Sequence, residues 1–169
     1  SDRVPVLRIM PNTPVAIGKG MTLIHPECCK PELVDEFETI MAQSGRFDRI
    51  GENLADAAGA ASGCVPAFAY LFMEGLADGA VMAGVPRQKA MTYVAQAVLG
   101  AASLVLESGQ HPGALKDAVC SPGGSTIVGV SKLEEGGLRS ACIQAVAGSA
   151  EKNKKLGRSE EHTSELQSL

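Results

Sequence analysis

The stretch from Ala67 to Leu106 limits most severely what this chain can fold into. Ala67 to Ala83 reads as a helix apolar nearly all round, with Glu74 and Asp78 on one face. Gly84-Val85-Pro86 follows, the glycine that ends one helix and the proline that opens the next. A second helix is expected over roughly Arg87 to Glu107, and from Ala90 to Leu106 it carries no charge. A membrane span needs about 17 to 25 such residues. Thr92, Tyr93, Gln96, Gly100 and Ser103 interrupt this one, so a buried helix of a protein outside the membrane is the expectation. Two successive helices without a polar face cannot be covered by the rest of a chain of 169 residues. An uncovered apolar surface of that extent means partner contact, and a homodimer built from interlocking helices is the expected form.

Pro112 to Val119 forms a shorter helix, and the segment Leu115 to Glu134 runs through the loop Ser121-Pro122-Gly123-Gly124-Ser125-Thr126. Ser121 suits an N-cap and Pro122 the first helical position. The next residues would then present free backbone N–H groups at the positive end of a helix dipole. Gly123 and Gly124 let a ligand reach the backbone, while Ser125 and Thr126 add hydroxyls, so a carboxylate or phosphate fits there. The same residue types also make an ordinary helix–helix turn, and both readings stand on local chemistry. Beyond the loop, Ser125 to Glu134 and Leu138 to Lys155 are expected to be helices hinged at Gly136-Gly137.

The first fifty residues have a different pattern. Val6 to Met10 is a short apolar run between Pro5 and Pro11 and reads as a strand. Two prolines fix the turn Met10-Pro11-Asn12-Thr13-Pro14. Met21 to His25 is a second strand, and Phe47 to Ile50 a third. Between them Leu33, Val34, Phe37, Ile40 and Met41 recur at helical spacing from Pro31 onward, in a helix expected to end near Gly45. Strand, strand, helix, strand is the closing part of an α/β domain, and so small a sheet needs further strands, expected upstream. After the N-cap candidate Asn53, Leu54 to Ala61 reads as a short helix and Ser62-Gly63-Cys64-Val65-Pro66 as a turn.

A net charge of −4 leaves no basic field for nucleic acid. Five cysteines, Cys28, Cys29, Cys64, Cys120 and Cys142, include no CxxC pair, which argues against a disulfide framework and a structural metal and for a reduced cytoplasmic setting. Ser1-Asp2-Arg3-Val4-Pro5 is not a signal peptide, and the chain is expected to open in mid-protein. Arg158 to Ser168 lacks an apolar period, resembles a translated sequencing adapter, and is set aside as a non-native tail. His25 and His111 lack partners for a triad or a metal site.

Leu115 to Glu134 closely resembles the signature of pyrroline-5-carboxylate reductase, the last enzyme of proline synthesis. Arg8-Ile9-Met10-Pro11-Asn12-Thr13-Pro14 resembles a second motif of that family, and Ser62-Gly63-Cys64-Val65-Pro66-Ala67-Phe68 a third, with Val65 where relatives usually have a small residue. Gly75-Leu76-Ala77-Asp78-Gly79 also matches. The likeness runs from about Arg3 to Leu156, in order.

The resemblance implies a mainly α chain: residues 1–51 as the last strands and helix of a dinucleotide-binding Rossmann domain, 52–157 as a helical dimerisation and substrate-binding domain, 158–169 as the tail. No G-x-G-x-x-G follows a strand, and Gly18-Lys19-Gly20 lacks the third glycine. The implied reaction is hydride transfer from NADPH or NADH to the C=N carbon of 1-pyrroline-5-carboxylate, with the fragment inactive alone. By the same resemblance Ser121, Gly124 and Ser125 hold the substrate carboxylate, and Thr126 hydrogen-bonds the ring nitrogen as the catalytic group. Met10, Pro11 and Asn12 lie beside the nicotinamide. Glu52 aligns with an acidic position near the substrate, or is a solvated carboxylate at a domain junction. Ala118 stands where some relatives have Asn or Gln, and its methyl cannot make their hydrogen bond. The rival reading is a stand-alone helical dimerisation and anion-binding module, in which the first strands would be orphans.

Overall fold

The computed structural model describes residues 4–167, with the side chains of Cys28 and of residues 158–167 left aside. Ser1, Asp2 and Arg3, on which the reading of the chain start rests, lie outside the described residues, as do Ser168 and Leu169. The chain forms two compact units, one drawing on the chain up to Ala67 and from Ile143 onward, the other on Phe68–Cys142.

In the first unit the expected strand, strand, helix, strand order is present as β1 (Arg8–Pro11), β2 (Gly20–His25), α1 (Pro31–Ile40) and β3 (Gly45–Arg49). β2 is central, antiparallel to β1 with Arg8 opposite His25, and parallel to β3 with Thr22 opposite Phe47. A parallel pair needs a crossover, and α1 supplies it. Its Val34 is buried, as are Leu23 and Ile24 of β2, and Phe37 meets Phe47 edge to face, centroids 6.0 Å apart. Arg49 ties β3 to α1 through Glu38 at 2.8 Å and Asp35 at 2.5 Å. The helix stops at Ile40 rather than near Gly45, because Ala42–Ser44 tighten into a 3-10 turn and Gly45, at φ 137°, enters β3.

Two expectations fail just beyond the sheet. Asn53 does not cap a helix; it lies inside the 3-10 turn Glu52–Leu54, which leads into α2 (Ala55–Gly59). Ser62 to Pro66 is not a turn. Ala60–Cys64 is a π-helical turn that passes directly into α3 (Val65–Met82). Widening the helix there accommodates Pro66, whose ring would clash with the carbonyl four residues earlier and whose nitrogen has no hydrogen to offer it.

In the second unit the remainder of α3, then α4 (Arg87–Ser108), α5 (Pro112–Ala118) and α6 (Ser125–Glu135) follow the expected helices within a residue or two. Gly84 at φ 98° ends α3 and Gly137 at φ 75° separates α6 from α7 (Leu138–Gln167). Pro86 sits one residue before α4 rather than in its first turn. Helix α7 continues to Gln167 instead of stopping at Lys155, so the backbone of the suspected tail extends the same helix as far as it is described.

Within the single chain helix α4 is left largely uncovered, as expected of an apolar helix that the rest of so short a chain cannot cover. Only 6% of its most apolar window is covered, and 11% of that of the continuous helix Glu52–Met82. By length and composition both could cross a membrane. Ala77 and Ala90 are buried, but Leu71, Met82, Tyr93, Leu99, Leu104 and Leu106 are exposed.

Candidate active site

The residues singled out by sequence fall into two groups, one in each unit. Met10, Pro11, Asn12 and Glu52 belong to the first; Ser121, Gly124, Ser125 and Thr126 belong to the second.

In the first unit, Met10 and Pro11 end β1 and Asn12 turns the chain into the 3-10 helix Thr13–Ile17. Asn12 is held on three sides. Its backbone N–H donates to the carbonyl of Met21 at 3.2 Å. Its side-chain oxygen accepts from the Met21 N–H at 2.9 Å, and its Nδ2 donates to the carbonyl of Ser62 at 3.0 Å. Met10 packs on the same helix: a Cβ added to Gly59 would stand 2.7 Å from the Met10 sulfur. Gly59 and Ser62 are three residues apart and share a helix face, so strand end and helix are joined at two points. Ser62 also returns its hydroxyl to the carbonyl of Ala58 at 2.9 Å, and Asn153 from α7 donates to the carbonyl of Asp56 at 3.1 Å.

Glu52 follows at the start of the helical region. Its carboxylate accepts from Arg8 at 2.7 Å, with both side chains more than half exposed. Its other oxygen stands 3.3 Å from Nδ1 of His25. His25 is buried, and neither ring nitrogen makes a hydrogen bond of proper geometry among the described residues. The Glu52 contact is therefore a close approach and not an aligned hydrogen bond. Sequence reasoning gave His25 no partner. The missed signal lay in the β1/β2 register, which sets Arg8 opposite His25 and so brings both to Glu52.

In the second unit the loop differs from the expected cap. Ser121 is not the N-cap and Pro122 is not in the helix. The Gly124 N–H donates to the Ser121 carbonyl at 3.0 Å, and Gly123 takes φ 68°. A Pro-Gly pair in the middle of such a turn is the signature of type II. Helix α6 opens one turn later, with Gly124 as N-cap and no side-chain cap. The uncapped N–H groups are therefore those of Ser125, Thr126 and Ile127. Gly124 is glycine for a local reason: a Cβ there would collide with the Ser121 hydroxyl and stand 3.2 Å from the Ser121 carbonyl. Among the described residues the hydroxyls of Ser121, Ser125 and Thr126 have no partner, and all four residues flank the helix start. Upstream, His111 proves to be a cap, its Nδ1 accepting from the Gly113 N–H at 3.0 Å at the start of α5.

Gly18-Lys19-Gly20 offers no cradle for a pyrophosphate. Gly18 at φ 70° closes the 3-10 helix, and the side chain of Val15 fills the space over Gly20.

Residues 52–156 match the family model for pyrroline-5-carboxylate reductase dimerisation. The pyrroline-5-carboxylate reductase of Escherichia coli is 44% identical over 91% of this chain and 58% of its own length. That of Synechocystis is 43% identical over 90% of this chain, again 58% of its own length. The crystal structure of Plasmodium falciparum pyrroline carboxylate reductase with NADP bound superposes with a TM-score of 0.82 at 34% identity, over 89% of this chain and 61% of that one. A structure of the Coxiella burnetii enzyme gives 0.81 at 34% identity. The chain thus spans a little under three fifths of the curated relatives it matches. The family model covers more than half of the chain, Glu52 to Leu156, and the chain belongs to the pyrroline-5-carboxylate reductase family.

Proposed function

We propose that this chain is the dimerisation and substrate-binding part of an enzyme that reduces 1-pyrroline-5-carboxylate to L-proline with NADPH or NADH. The observation that carries the reading is the uncapped start of α6. Three successive backbone N–H groups stand beside the unpartnered hydroxyls of Ser121, Ser125 and Thr126, a donor set suited to a carboxylate. The Ser125 N–H holds the substrate carboxylate, Gly124 keeps the approach to it free of a side chain because its own N–H is committed to the Ser121 carbonyl, Ser121 adds its hydroxyl, and Thr126 orients the ring nitrogen. The dinucleotide supplies the hydride. Met10 and Pro11 form the part of this chain that faces the nicotinamide, residues 1–51 being the closing elements of a dinucleotide-binding domain and 52–157 the helical domain. The anchored Met10–Asn12 turn fits that role, and the filled Gly18–Gly20 turn means that the pyrophosphate is held by residues other than these.

The exposed apolar faces of α3 and α4 are covered by a second copy of the chain. A cytoplasmic setting agrees with the free thiols of Cys29, Cys64, Cys120 and Cys142. The rival reading, a binding module without chemistry, is separated by one experiment. Joined in frame behind the N-terminal part of the Escherichia coli relative, the chain should oxidise NADPH or NADH when 1-pyrroline-5-carboxylate is added. A folded, dinucleotide-binding chimera that oxidises neither would overturn the reading.

A further inference from the structure

Pro66 lies in the first turn of α3 and has no N–H. In an α-helix its nitrogen would serve the carbonyl of Ser62, four residues earlier. That carbonyl is nevertheless satisfied, by the Asn12 side-chain amide at 3.0 Å, reaching across from the end of β1. The amide cannot be turned round, because its oxygen accepts from the Met21 N–H at 2.9 Å. Both ends of Asn12 are therefore committed to backbone, one to β2 and one to the π-helical turn Ala60–Cys64. Met10 packs on Gly59, one helical turn before Ser62 on the same face. The two contacts fix both the position and the rotation of the Met10–Asn12 turn against the helix.

We propose that Asn12 is a positioning residue: it replaces the helix hydrogen bond that Pro66 cannot give, and thereby sets where Met10 and Pro11 present themselves to the cofactor without touching it through its own amide. The structural half of this inference stands on contacts within one compact unit. Its consequence for the cofactor rests on the function proposed above.

The test begins with the chain itself. In the wild-type chain the Asn12 side-chain amide protons should exchange with solvent at least tenfold more slowly than those of a free asparagine side chain, and free exchange would overturn the proposal. Asn12→Asp keeps the acceptor for Met21 but sets a second oxygen against the Ser62 carbonyl, and it should lower the thermal midpoint by several degrees. Pro66→Ala returns an N–H to the position that serves Ser62. In that background the loss from Asn12→Asp should fall to less than half, whereas an equal loss in both backgrounds would overturn the proposal. If Asn12→Asp does not fold, Asn12→Ser in the same two backgrounds gives the same comparison.

In the chimera described above, Asn12→Asp should lower kcat by about tenfold or more while the KM for the nicotinamide cofactor changes less than threefold, and Pro66→Ala should restore part of kcat. A raised cofactor KM that Pro66→Ala does not rescue would show direct contact and overturn the positioning role. An inactive wild-type chimera would count against the proposed function alone, since the exchange and midpoint measurements do not depend on it.

Discussion

Asn12 and Ser62, fifty positions apart, are joined by a hydrogen bond to the carbonyl that Pro66 cannot serve. The same helix face carries Gly59 beneath Met10. Gly59→Ala should therefore be costly although alanine is the better helix former. The added methyl displaces the Met10 side chain and overpacks a filled contact, a cost of about 1 to 3 kcal/mol. Thermal unfolding should show a midpoint several degrees lower, and a midpoint equal to or above wild type would mean that Met10 moves aside freely.

Thr126 lies in the first turn of α6 with its hydroxyl unpartnered among the described residues, and the proposed chemistry gives it one oriented hydrogen bond to the substrate. In a chimera that turns over 1-pyrroline-5-carboxylate, Thr126→Ala should lower kcat/KM by about 1 to 3 kcal/mol, roughly fivefold to 150-fold. Thr126→Ser, which keeps the hydroxyl, should recover most of it. Wild-type steady-state kinetics in Thr126→Ala would remove the residue from the mechanism.

Much of this architecture is legible in sequence where pattern and punctuation agree. The presence and order of the first two strands and of helices α1, α4 and α5 follow from apolar period, prolines and glycines, although β1 runs Arg8–Pro11 where Val6–Met10 is expected and α1 stops at Ile40. The cap expected at Ser121-Pro122 differs from the turn observed because two local rules compete for those residues. Serine before proline suits a helix cap, while proline before glycine suits a type II turn, and the positive φ of Gly123 decides for the turn. The helix through Ser62 to Pro66 was illegible for a different reason. Glycine and proline there spell a break, and only a side chain from a distant strand makes continuation affordable. His25 falls in the same class, since its neighbour Glu52 is set by strand register and not by spacing.

Gly124 should prove more sensitive than its place in an exposed loop suggests. Gly124→Ala drives a methyl into the Ser121 hydroxyl, and relief requires that hydroxyl to rotate away from the start of α6. The fold should survive with a change in stability of about 1 kcal/mol or less, as for most exposed substitutions. Binding of L-proline, read from the amide shifts of Ser125 and Thr126, should weaken by tenfold or more. Unchanged binding would separate Ser121 from the anion site.

The Arg49 guanidinium, bonded to Glu38, holds that carboxyl below its ordinary value. A carboxylate depressed in the folded state contributes stability above its unfolded value, near 4.5, and loses it as the pH falls through the lower folded value. Arg49→Ala should raise the Glu38 titration midpoint toward the ordinary range in a carboxyl-detected NMR titration. It should also flatten the fall in thermal midpoint on acidification. Both partners are on the surface, so the effect at neutral pH should be small. A Glu38 midpoint unmoved by Arg49→Ala would show that another group sets it.

The apolar faces of α3 and α4 give the sharpest prediction about assembly. Tyr70, Leu71 and Met91 line an open groove, and Tyr93, Leu99 and Leu104 continue the exposed surface along α4. A single chain that left this surface in water would carry an apolar patch far beyond what monomers tolerate. Sedimentation at micromolar concentration should therefore find a dimer or larger closed assembly. Leu104→Arg places a charge on that face at a position half exposed in the single chain. It should weaken association at least tenfold while leaving helical content unchanged, because the cost falls on desolvating an unpaired guanidinium in the assembled form alone. A wild-type chain that sediments as a monodisperse monomer would mean that these helices meet some other surface, and the family's mode of dimerisation would not extend to this chain.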